Sequence, residues 1–82
     1  MTKSVFQHKV RNSNKNALAV VVEPWGREYD VPPGSVLQID VYESAPLNIE
    51  SEQKKDVTVI WLSGGGRATV SVDETVFPPD LN

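Results

Sequence analysis

A chain of 82 residues buries only about 60 to 65% of the surface its unfolded form exposes, so it holds one core and no second domain. Its composition, 39% hydrophobic and 23% charged, is lean in apolar residues without reaching that of a disordered chain, and with no cysteine and only His8 it excludes disulfides, thiolate chemistry, Cys-zinc sites and multi-histidine metal centres. The net charge of −3 is unevenly spread: Lys3, Lys9, Arg11 and Lys15 make residues 1–16 wholly basic, while all 11 acidic residues follow, an acidic body that repels a nucleic-acid backbone.

No stretch carries apolar residues at helical spacing, whereas period-two alternation recurs between turn signals, the signature of an all-β domain. The first strand is expected over Ser4–Arg11, with Phe6, His8 and Val10 on one face. Residues 1–10 contain no apolar core of a secretory signal, and the longest apolar run, residues 17–22, is far short of the roughly 20 residues of a membrane helix. The chain is therefore expected to be cytoplasmic, with no membrane and no nucleic-acid partner.

Ala17–Glu23 and Val57–Ser63 are apolar on both faces, which predicts central strands, either covered on both sides or closed by a neighbouring chain. Pro24–Arg27 reads as a reversal, Glu28–Val31 as a short strand, and Pro33-Gly34 as a type II turn, because proline presets the first central φ and glycine accepts a positive second one. Val36–Glu43 and Arg67–Val72 alternate cleanly, with Leu37, Ile39 and Val41, and Ala68, Val70 and Val72, facing the core. Between them, a strand is expected at Leu47–Ser51, an exposed loop over Glu50–Lys55, a polar turn at Lys54–Asp56 and a flexible connection at Gly64–Gly66. Trp61, inside an apolar strand, is expected in the core or in a buried interface. A last short strand falls at Thr75–Phe77, after which Pro78 and Pro79 are expected to carry residues 78–82 away as a tail.

None of the chemistry-bearing motifs supports catalysis. Gly64-Gly65-Gly66 lacks the Lys-Ser/Thr and the following helix of a phosphate loop, and the acidic pairs Glu50/Glu52 and Asp73/Glu74 lie in predicted turns without a calcium-loop pattern. The densest constellation is Glu23–Asp30, where Trp25, Arg27 and Tyr29 bring the residue types enriched in binding hot spots into one turn region. Those three residues are the candidate interaction patch, with Trp25 as a lid over the open end of a small core as the structural alternative.

The run Glu23-Pro24-Trp25-Gly26 followed by Val31-Pro32-Pro33-Gly34 resembles short uncharacterised bacterial all-β proteins with a Trp-Gly turn and a Pro-Gly turn; the likeness spans residues 17–44 and implies a fold but no activity. Tyr29–Val41 also resembles the early strands of cupredoxin-like domains, yet the two histidines and one cysteine of that copper site are not present in this chain.

The expected architecture is a compact antiparallel β-sandwich of seven to eight short strands, jelly-roll-like or immunoglobulin-like, forming one domain over residues 1–82 with residues 1–3 and 78–82 as loose termini. The expected function is a small non-enzymatic protein-binding or assembly module without cofactor, acting on an unidentified protein partner. A homodimer would cover the doubly apolar strands. The alternative is a small-ligand or carbohydrate binder that uses the same aromatic and arginine patch.

Overall fold

The computed structural model describes residues 6–42, 47–64 and 67–81. These form eight strands in chain order: β1 (Phe6–Arg11), β2 (Leu18–Glu23), β3 (Arg27–Val31), β4 (Val36–Tyr42), β5 (Leu47–Gln53), β6 (Val57–Gly64), β7 (Arg67–Val72) and β8 (Thr75–Leu81). They make two four-stranded sheets, β1-β4-β7-β8 and β3-β2-β6-β5. Among the described residues no helix is long and apolar enough to cross a membrane.

Strand composition accounts for the positions. β2 and β6, apolar on both faces, occupy the centre of the second sheet, whereas the charged β3 and β5 take its edges, where unpaired backbone is best left among polar side chains. Two hairpins, β2–β3 and β5–β6, meet through their apolar strands, and the meeting is parallel: Val20 lies beside Thr58, Val22 beside Ile60 and Glu23 beside Trp61. The expected all-antiparallel pairing therefore holds in the first sheet and fails in the second, because the chain enters β2 and β6 from the same end. An immunoglobulin-like order would also keep the first two strands in one sheet, and here they are divided between the two.

One buried cluster joins the sheets, with Leu18, Val20, Val22, Val31, Ile60 and Leu62 from the second meeting Leu37, Ile39, Val41, Val70 and Leu81 from the first. The turns follow the sequence. Gly34 has φ +80° and the Ser35 N–H donates to the Pro32 carbonyl at 3.0 Å, closing the type II turn expected at Pro33-Gly34. Asp73 and Glu74 both have positive φ between the paired Val72 and Thr75, the backbone that a two-residue hairpin of type I′ demands.

Two expectations for the second half of the chain are corrected. The exposed loop at Glu50–Lys55 is mostly strand, since β5 runs to Gln53; Ile49 packs against the core, and beyond it residues 50–53 are exposed and are held by backbone pairing to β6. The expected tail at residues 78–82 stays in the sheet as far as Leu81, which is 1% exposed. A register shift between Ala68 and Val70 lets Pro78 and Pro79 sit in a bulge at the edge, where their missing N–H groups break no ladder. Residues 1–3 and the Gly65-Gly66 part of the glycine run lie outside the described residues.

Asn12, which carried no signal in the sequence, joins the loops between strands. It is 1% exposed, its Nδ2 donates to the carbonyls of Asn16 and Val31 at 2.8 Å each, and its Oδ1 accepts from the Asn14 N–H. Its backbone N–H donates to the Ser35 carbonyl, and its carbonyl accepts from the Gly34 N–H. The β1–β2 connection is thereby fixed to the Pro-Gly turn before β4, and the buried amide has its donors and acceptor satisfied.

Candidate functional site

Among the places on the surface that combine apolar and charged groups, two contain residues that the sequence singles out. The first contains part of the Trp25–Arg27–Tyr29 patch. β3 carries Arg27 and Tyr29 on its inward side, opposite Val22 and Val20, so the patch is not the exposed surface expected: Tyr29 is 9% exposed and belongs to the core. Trp25, in the turn before β3, is half-buried and packs against that core. What remains open is a cleft of about 590 Å³ between the edges β3 and β8, lined by Arg27, Tyr29, Phe77 and Pro78 with Glu28 and Asp30. The Tyr29 and Phe77 rings are 6.0 Å apart and inclined at 57°, with Phe77 40% exposed.

The Tyr29 hydroxyl is buried and has no hydrogen-bond partner of good geometry among the described residues. Burial raises its phenol above the usual value; the Arg27 guanidinium, near enough to oppose that shift but not placed for a well-formed bond, offsets only part of it. Tyr29 therefore stays protonated, a neutral donor behind a cationic one.

The second place is the outward face of the β3-β2-β6-β5 sheet. Strand periodicity turns Ile60 and Leu62 into the core and Trp61 out, 47% exposed, which overturns its expected burial in the core. Its cross-strand neighbours are Glu23 on β2 and Glu50 on β5. The next row reads Glu28, Val21, Val59, Glu52, and the row after it Asp30, Ala19, Val57. An apolar stripe thus runs along the two central strands, and carboxylates line both edges. The sequence showed β2 and β6 to be apolar on both faces; that Ala19, Val21, Val57 and Val59 lie half-buried on the second face, and that the acids of β3 and β5 flank it, emerged only with the pairing.

The outward face of the first sheet differs. There Gln38 donates to both carboxylate oxygens of Asp40 at 2.9 and 3.0 Å, Tyr42 shares a hydrogen bond with Thr69, and the Arg67 guanidinium lies 5.1 Å from the centre of the Tyr42 ring. Asp73, in the β7–β8 turn, accepts from the Ser35 hydroxyl and from the Val36 N–H, and these bonds hold its carboxyl below the usual value, with Arg11 adding a smaller effect. His8 sits half-buried on the edge strand β1, and among the described residues no group of three or more His, Asp or Glu side chains stands close enough to hold a metal ion.

No family model, no curated protein and no solved structure matches this chain. The functional reading therefore rests on the geometry alone.

Proposed function

We propose that the chain is a small non-enzymatic protein-binding module, a cytoplasmic β-sandwich whose contact surface is the outward face of the β3-β2-β6-β5 sheet. The observation that supports it is the stripe Ala19, Val21, Val57, Val59 and Trp61 lying outward on two central strands, with Trp61 47% exposed. Folding alone gives no reason for such a stripe, since the core is closed by the opposite side of the same strands. Trp61 stands at one end of the stripe, between Glu23 and Glu50, and a large, rigid tryptophan is a usual anchor of a protein interface.

The deciding experiment compares the chain with its Trp61→Ser and Trp61→Phe variants in extracts of the cell of origin, quantifying co-purified proteins by mass spectrometry. Proteins retained by the chain and by Trp61→Phe and lost with Trp61→Ser would support the reading; an identical set from all three would end it.

A second reading, a carbohydrate-binding role, draws on the β3–β8 cleft, where the donors Arg27 and Tyr29, the acids Glu28 and Asp30 and the exposed Phe77 ring supply the donors, acceptors and flat apolar wall that a sugar uses. A rise in melting temperature with a mono- or disaccharide, abolished by Phe77→Ala, would establish it. No rise across a broad panel would remove it.

A further inference from the structure

The charge around the Trp61 stripe says what kind of protein surface fits it, an inference that rests on the docking face proposed above. On the outward side of the sheet, β3 contributes Glu28 and Asp30, β5 contributes Glu50 and Glu52, and β2 ends on Glu23. No strand of this sheet places a lysine or arginine on that side: Arg27 of β3 faces inward beside Val22, and Lys54, whose N–H donates to the Val57 carbonyl, lies with Lys55 in the turn that joins β5 to β6, at the Val57 end of the stripe. The face is therefore an apolar stripe between two acidic rails.

This pattern disfavours the homodimer that doubly apolar strands suggest. A twofold contact uses the same patch on both copies. A twofold axis centred on this face would stack the rails of one copy on those of the other, so that carboxylates meet carboxylates over most of the contact, and like charges removed from water repel strongly. The complementary occupant has an apolar centre and cations on both flanks.

The dimensions narrow it further. Neighbouring strands are about 4.8 Å apart, so the rails on β3 and β5 are separated by three spacings, about 14 Å, and the stripe from Val57 to Trp61 is about 13 Å long. An α-helix is about 10 to 12 Å wide with its side chains and rises 1.5 Å per residue, so roughly nine residues of one helix cover the stripe. Residues at i, i+3, i+4 and i+7 would lie on Trp61 and the valines, while lysines or arginines on both sides would reach the two rails. We infer that the outward face of the β3-β2-β6-β5 sheet is a docking site for a basic amphipathic helix of a partner protein.

The test uses a synthetic Leu/Lys peptide of about 14 residues, long enough for a helix to form on binding, with leucines at i, i+3, i+4 and i+7. Two controls accompany it: a peptide of the same composition with helical spacing scrambled, and one with glutamate in place of lysine. Binding is followed by calorimetry and by Trp61 emission, taken as the difference between the chain and its Trp61→Phe variant. The Leu/Lys helix is expected to bind and to shift the Trp61 emission to the blue, with affinity falling at least about tenfold from low to high salt. The Glu50→Lys/Glu52→Lys variant, folded by circular dichroism and melting temperature, should lose about tenfold or more.

Equal binding of the Leu/Glu or scrambled peptide, or no effect of the charge reversal, would overturn the basic-helix assignment while leaving the docking face intact. Salt-sensitive self-association of the chain without peptide, lost in the Glu50→Lys/Glu52→Lys variant, would also overturn it and would give the face to the basic residues 1–16 of a second copy. If no peptide moves the Trp61 emission and Trp61→Ser retains every co-purified protein, the docking face itself falls.

Discussion

The outward faces of the two sheets are built from strands of the same length class and follow the same alternation, yet they end in opposite states. On the β1-β4-β7-β8 sheet the outward side chains bond to one another: Gln38 to Asp40, Tyr42 to Thr69, Arg67 over the Tyr42 ring, and Asp73 to the start of β4. On the β3-β2-β6-β5 sheet the outward side chains of the central strands are apolar from Ala19 to Val21 and from Val57 to Trp61, β2 ends on Glu23, and the other acids stand on the edges. A face whose polar groups are largely bonded to one another, with the exposed Val76 as an exception, gains less from a partner than an apolar face in water, which leaves free energy to be recovered by burial, at roughly 25 cal/mol for each Å² covered. The difference between the two faces, more than any pocket, separates a structural surface from an interaction surface.

The largest effect that would sharpen this contrast lies within one strand. Ile60 and Trp61 are consecutive residues pointing in opposite directions, so Ile60→Ala should cost about 3 to 4 kcal/mol of unfolding free energy. Trp61→Ser should cost under about 1 kcal/mol, as a substitution outside the core. Urea denaturation of both variants provides the measurement, and a Trp61→Ser loss as large as that of Ile60→Ala would mean that the tryptophan supports the fold.

Asn12 comes next, because it secures the junction from which both faces are laid out. Asn12→Ala leaves the carbonyls of Asn16 and Val31 and the Asn14 N–H without their partner, and a loss of about 2 to 4 kcal/mol is expected. A urea midpoint unchanged from that of the parent chain would show that water replaces the amide and that the junction does not depend on it.

The smallest effect is a pH dependence that belongs to the first sheet. The Asp73 carboxyl lies below its usual value because Ser35 and Val36 donate to it. A depressed acid stabilises the fold at every pH above its unfolded value, about 3.9, and that contribution disappears as pH falls through the lower folded value. The stability of the chain should therefore drop below about pH 4 with a component that Asp73→Asn removes, so that parent and variant converge in acid. Parallel curves across that range would show that the turn is held by the bond that the Asp73 N–H donates to the Val36 carbonyl and not by its carboxylate.

The all-β class, the span Arg67–Val72 of β7, the type II turn at Pro33-Gly34 and the central place of β2 and β6 were legible in the residues alone, because alternation, proline and glycine act locally and strands apolar on both faces are poor edges. Neither the parallel meeting of β2 with β6 nor the buried role of Asn12 could be read there, since both depend on which distant segments share a sheet or a loop. The candidate patch was legible only in part: Trp25, Arg27 and Tyr29 are close along the chain, but whether a residue faces the core or the cleft is settled by register, and register put Tyr29 inside. Trp61 shows the same limit in reverse, an apolar residue in an apolar strand that one step of alternation turns outward. The acidic rails were the least legible feature, because Glu28, Asp30, Glu50 and Glu52 belong to two separate hairpins, and only the pairing of β2 with β6 sets them on either side of one stripe.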